Sequence, residues 1–227
     1  MGGSVFSVRA GEQIVRSYQP NVANPQSALQ VAQRAKIKLA AQFASAMAQE
    51  LYPYGRMGSR SSRNLFVSDL FSRGAITYAD NQANIVMTDV RLTKSHVEMM
   101  TIATPVRVEG AITISGSVLP SYVGKVLGAK VVVVATNSQD NEPYILRSDA
   151  LTISSEGAIS GSVNLGTNAA VSAYIYAYMP ASEAFHVKYG DIEMNEATAV
   201  LLEVESRNNA SDFVFSITQA FAIPAGA

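Results

Sequence analysis

Residues able to take up a proton, a metal or a phosphate are few in this chain, and their spacing is poor for chemistry. The two histidines, His96 and His186, each lack a second histidine at i+2 to i+4 to complete a metal pair, so both read as structural. Asp191, Glu193 and Glu196 form the one carboxylate cluster worth weighing. They lack the glycine and the twelve-residue register of an EF-hand and read as a solvated turn rather than a calcium loop. Gly55, Gly58 and Ser59 follow an expected helix instead of preceding one, which is the wrong polarity for a phosphate nest. No G-x-S-x-G elbow, Walker loop or G-x-G-x-x-G occurs. Cysteine is absent, which removes thiolate nucleophiles, disulfides and iron–sulfur ligation together. The expectation is a protein without catalytic residues, metal or cofactor.

At 227 residues the chain is long enough to bury a core. Its longest apolar run, around Val131 to Ala135, falls far short of the roughly 20 residues that span a bilayer. Nor does the segment beginning Met1-Gly2-Gly3 read as a secretion signal, so no membrane partner is expected. Charge is unevenly spread. Residues 1–73 hold nine Lys/Arg and three Asp/Glu, and the remainder holds eight against fifteen. Such complementary halves favour packing on acidic parts of the same or neighbouring subunits. Direct binding of nucleic acid is not expected, because the cations are dispersed and no basic run carries aromatic residues for base stacking.

The elements follow from periodicity. Ser4–Val8 and Gln13–Tyr18 alternate as a hairpin about Arg9-Ala10-Gly11-Glu12. Asn24 as N-cap and Pro25 at the first position predict one long helix to about Leu51, whose apolar stripe is rich in alanine and suits close docking on a sheet or on a neighbouring subunit. Gly55 to Arg63 reads as a surface loop carrying Arg56, Arg60 and Arg63, ordered only against a neighbour. A short helical or irregular stretch is expected at 64–73. Strands are expected at 84–92 and 96–102 about a turn at Thr93-Lys94-Ser95, then at 106–118, 129–136, 144–153, 158–165 and 171–179. Regular short strands bounded by turn residues predict an immunoglobulin-like β-sandwich over 105–182. Tyr174, Tyr176 and Tyr178 make one face of the last strand a tyrosine ladder, either packed or an interface. The segment Gly110 to Val118 is echoed by Gly157 to Val163. Strands at 197–205 and 212–223 are expected to complete the N-terminal module. The fold class is therefore mainly β with one long N-terminal α-helix, divided as 1–104, 105–182 and 183–227.

The hairpin ending in Val15-Arg16-Ser17, followed by Asn24-Pro25-Gln26-Ser27 opening a helix with Gln30, Gln33-Arg34 and Lys36, resembles the uncharacterised family DUF6266, found among small structural proteins of Bacteroidetes and their phages. The likeness covers residues 1–52, and more loosely 105–180, where Ala129–Asn137 and Val171–Tyr178 match two strands of that family's immunoglobulin-like sandwich. It implies a structural subunit of a tailed, crAss-like bacteriophage virion, made in the host cytoplasm and placed in a head-to-tail connector, neck or tail ring. The partners implied are other copies of the chain, as a homo-oligomeric ring of twelve by analogy with connectors, and neighbouring virion proteins. A head decoration protein, or a non-catalytic immunoglobulin-like binding module of a Bacteroidetes cell, are the alternatives. The candidate interface residues are Arg34, Lys38, Arg56, Arg60 and Arg63.

Overall fold

The computed structural model of the chain describes residues 4–9, 12–17, 26–51, 60–137, 142–167, 169–183 and 213–226. Strands β1 (Ser4–Arg9) and β2 (Glu12–Ser17) pair antiparallel, with Val5 opposite Arg16 and Arg9 opposite Glu12. Helix α1 spans Ala28–Ala46, so it starts later and stops earlier than the sequence suggests. Ser27 is its N-cap in place of Asn24, with the Gln30 amide donating to its hydroxyl at 3.4 Å. Beyond Ala46 the chain continues in tighter turns, Ala48 N–H to Ser45 O and Glu50 N–H to Met47 O, which still carry Met47 and Leu51 into the core. A second helix, α2 (Ser62–Ser72), is capped by Ser61 and buries Leu65, Phe66 and Leu70. The helical content is thus not one long element, and Ser62 and Arg63 belong to a helix rather than a loop.

The expected hairpin at 84–102 is replaced by an earlier one. β3 (Ile76–Ala79) pairs β4 (Gln82–Ile85) through Asp80 and Asn81, both at positive φ, as a two-residue turn between right-twisted strands requires. Residues 90–99 then run without regular structure, yet Val90, Leu92 and Met99 are fully buried. Backbone and hydroxyl partners satisfy this stretch together: Val90 N–H donates to Met87 O, Met99 O accepts from Leu119 N–H, Leu92 N–H donates to Thr218 Oγ1 at 3.0 Å, and Thr93 Oγ1 donates to Ser216 O at 2.6 Å.

The remaining strands form one antiparallel system. In chain order they are β5 (Met100–Ile102), β6 (Val106–Val108), β7 (Ala111–Val118), β8 (Gly128–Thr136), β9 (Pro143–Ile153), β10 (Ala158–Asn164), β11 (Val171–Pro180), β12 (Phe213–Phe215) and β13 (Gln219–Ile223). The expected strand at 106–118 is two, β6 and β7, folded at Glu109-Gly110 with both residues at positive φ. The sheet order is β12-β11-β8-β9-β10-β7-β5, with β13 also on β11 and β6 also on β7. The strand expected at 197–205 lies outside the described residues, and the one expected at 212–223 is two short strands, β12 and β13, which pair with Val171–Pro180. The link to the segment before 102 is a parallel bridge, Val97 to Ser216, together with hydrogen bonds to the Thr218 and Gln219 side chains. β9 meets β10 only at Thr152 and Ile153. That narrow join divides the system into an inner half (β12 and β13, β11, β8, β9) and an outer half (β10, β7, β5 and β6).

The halves pack face to face. Val131, Val133, Ala173 and Ile175 of the inner half meet Ile112, Ile114, Ile159 and Val163 of the outer half in one apolar core. On the opposite side of the inner half, Val132, Val134, Tyr174 and Tyr176 pack with Phe43, Met47, Phe66 and Leu70 of the helical layer. β8 and β11 are consequently buried on both faces, which explains an apolar run without alternation at 131–135. The tyrosine ladder lies under the helices. Tyr174 donates its hydroxyl to Met87 O at 2.9 Å, and burial pushes the pKa of this phenol upward.

The echoed segments are neighbours, β7 and β10, paired so that Ser115 faces Ser160 and Thr113 faces Ser162. Each carries one inward glycine. A Cβ on Gly116 would stand 2.4 Å from the backbone oxygen of Thr101, whereas one on Gly161 would stand 2.4 Å from Leu151 Cδ2, the movable end of a side chain. Gly116→Ala should therefore destabilise by about 2–3 kcal/mol and Gly161→Ala by about 1 kcal/mol, both overpacking costs, read from urea midpoints. Equal midpoints for the two variants would contradict the close approach of β5 to β7.

Candidate assembly interface

Four of the five cationic residues singled out in the sequence fall on exposed surface of the helical layer, and Arg56 lies outside the described residues. Arg34 and Lys38 are exposed one turn apart on α1. Arg63 opens α2 and donates Nη2 to Ala41 O of α1 at 3.2 Å. Lys38 and Arg63 thereby share a groove of about 560 Å³ with Gln42, Glu142 and Pro143, where Gln42 Nε2 donates to the Glu142 carboxylate. Arg60 is exposed just before the cap of α2. Arg63 already has an anchor within its own chain, contrary to the expectation that it docks only on a neighbour. His96 is exposed in the irregular segment, and His186, Asp191, Glu193 and Glu196 lie outside the described residues. Among the described residues no three potential metal ligands come together.

Helix α1 is divided by burial. Its C-terminal half buries Leu39, Ala40, Phe43 and Ala44, while every residue from Ala28 to Lys38 is exposed or half-buried. Leu29 is 84 % exposed and Ile37 49 % exposed. Leu29, Gln33 and Ile37 follow i, i+4, i+8 spacing and so form one stripe, flanked by Lys36 on one side and Arg34 on the other. Between residues 28 and 46 there is no acidic residue. This half of the helix thus carries two exposed apolar side chains in line with Gln33, has cations beside that line, and is little covered by the described residues.

Two buried carboxylates tie the helical layer to its surroundings, Glu50 to the sheet and Asp69 to the segment at 90–99, and periodicity alone did not reveal either. Glu50, at the end of the α1 turns, accepts from Lys130 Nζ of β8 at 2.6 Å and from Ser148 Oγ of β9 at 2.7 Å. Asp69 of α2 accepts from Arg73 Nε at 2.6 Å and is also bonded by Lys94. Beside Glu50 a cavity of about 240 Å³ opens between Gln49, Lys130, Tyr178 and Phe213. Burial, and then the Glu50 charge, push the pKa of Tyr176 upward, so this hydroxyl keeps its proton. The signal in the sequence was a lone lysine in the otherwise apolar strand 129–135 and a lone glutamate closing an apolar helix.

Among the described residues the arrangement offers hydrogen-bonding and packing surfaces. No protein-family model matches the chain, and no curated protein matches it.

The charges at the helix–sheet boundary carry a measurable asymmetry. The Glu50 side chain is 9 % exposed and that of Lys130 34 % exposed. Lys130→Met leaves a buried carboxylate with only Ser148 and should cost about 3 kcal/mol, whereas Glu50→Gln keeps a hydroxyl partner and frees a lysine that reaches water, costing about 1 kcal/mol. The double variant should be more stable than the sum of the two single losses, as a urea-unfolding double-mutant cycle would show.

Proposed function

We propose that this chain is a non-catalytic structural subunit of a tailed bacteriophage particle, placed in a head-to-tail connector, neck or tail ring and working by contact with other copies of itself and with neighbouring virion proteins. The observation that carries the assembly part of this reading is the uncovered half of α1. A stripe led by an 84 % exposed leucine is retained on a helix whose other half is built into the core. Burial of such a side chain is worth about 1.5–3 kcal/mol, which water withholds and a partner supplies.

The phage part rests on the resemblance of residues 1–52 to structural proteins of Bacteroidetes phages, with a β-rich body behind them. In this reading the face-to-face halves are an immunoglobulin-like sandwich with a helical layer added to one side. The charge distribution supports heterologous contacts, because a cation-rich helix and a predominantly acidic remainder are complementary between copies. A ring of twelve follows from the connector analogy.

Mass spectrometry of purified particles tests the assignment: the chain should be present at a fixed stoichiometry, and a particle reconstruction should place it in a cyclic layer. Absence from particles sinks the phage reading. Arg34→Glu should weaken association between subunits by up to about fivefold per exposed ion pair lost, more at low salt than at high. Unchanged assembly of that variant together with a loss of DNA affinity would assign the cationic helix to nucleic acid instead.

A further inference from the structure

The outward face of the outer half differs from an ordinary solvated sheet. Thr113, Ser115 and Ser117 of β7 and Ala158, Ser160 and Ser162 of β10 all point away from the core and are exposed. Thr101 of β5 lies opposite Ser117 on the same face. Val106 and Val108 of β6 continue it, 60 % and 56 % exposed. Arg107 stands opposite Ile112, on the inward side, and its guanidinium donates to the carbonyls of Thr167, Ala169 and Pro224. No Lys, Arg, Asp or Glu therefore stands on this face.

Charges appear only beyond its strands, three exposed carboxylates among them and Lys125 in the segment that follows β7. Glu109 in the β6–β7 turn, Glu156 in the β9–β10 turn and Glu98 before β5 are all exposed. Short hydroxyl side chains make a flat surface that another backbone can approach closely.

We infer that this hydroxyl face receives the uncovered half of α1 from the next copy of the chain. The inference rests on the structural-subunit reading and specifies its contact. The helix offers Leu29, Gln33 and Ile37 in one stripe with Arg34 and Lys36 beside it, and the sheet offers an uncharged floor, two exposed valines and a carboxylate rim. Eleven helical residues extend about 16 Å, within the roughly 26 Å length of an eight-residue strand such as β7. The two surfaces also lie on opposite outer layers, since the inner half of the sheet stands between the helical layer and the outer half. A contact between opposite layers is head-to-tail. Repeated by a rotation that closes, it makes a ring, and it leaves no pair of cationic helices facing each other.

The chain has no cysteine, so engineered thiols report the contact without background. Chains carrying Ile37→Cys are mixed with chains carrying Ser115→Cys at high concentration and treated with a short bis-maleimide. The mixed cross-linked dimer should dominate, and adding Leu29→Asp to the Ile37→Cys chain should lower its yield at least fivefold; Leu29 is exposed, so this change leaves folding intact. A mixed yield no greater than that of Ile37→Cys with Thr77→Cys, an exposed position on β3, overturns the inference. So does a predominance of Ile37-to-Ile37 product, which would mean an isologous helix pair. Particle mass spectrometry is unaffected by either result, so failure of this contact and failure of the phage assignment are read separately.

Discussion

The central residues of β8 and β11 are buried on both faces, and covering both faces dictates where the rest of the chain goes. A sheet half with Val131, Val133, Ala173 and Ile175 on one side and Val132, Val134, Tyr174 and Tyr176 on the other needs two apolar layers. The outer half of the sheet supplies one and the helices supply the second. Tyrosine at alternate positions suits the helical side. Its ring fills the irregular space under crossing helices, and its hydroxyl can reach a partner at the margin, as Tyr174 does at Met87 O.

A chain folded this way must end its strands without leaving buried amides unpaired. Gln219 solves this where β13 passes β5. Its side-chain oxygen accepts from Ile102 N–H at 3.0 Å and its amide donates to Met100 O at 2.8 Å, so one side chain takes the place of a strand pair. Ser216 serves β11 similarly, its hydroxyl accepting from Ala177 N–H at 2.8 Å while Thr93 and Thr218 bond one another alongside. These hydroxyl and amide links explain how the segment at 90–102 is buried while remaining irregular. They trade the regularity of a ladder for local satisfaction of each polar group.

Charge is treated differently in the two layers. Under the helices Glu50 is buried against Lys130 of the sheet and Asp69 against Arg73 and Lys94, which orients these elements at little net gain in stability. On the outer half the face is free of charge altogether. What the molecule leaves uncovered is thus sorted by type: cations beside an apolar stripe on α1, hydroxyls and two valines on the sheet, carboxylates at its rim. Ordered contact between copies is what that sorting suits.

The sequence by itself determined the strands between 128 and 180, the hairpin at 4–17 and the existence of a helix across 28–46, because each has a strong local period and turn residues at its ends. It also marked Arg34 and Lys38 as surface cations, since a charged side chain opposite an apolar stripe has nowhere else to go. Partner choice was decided only in three dimensions. Nothing local distinguishes a strand at 213–223 that pairs with 84–102 from one that pairs with 171–180; the apolar faces of β11 and the hydroxyl links to 92–102 settle it together. The irregular burial of 90–99, the anchoring of Arg63 on Ala41 O and the carboxylate of Glu50 against Lys130 join residues far apart in the chain. Their energies come from desolvation and geometry at the contact, which no periodicity in the sequence records.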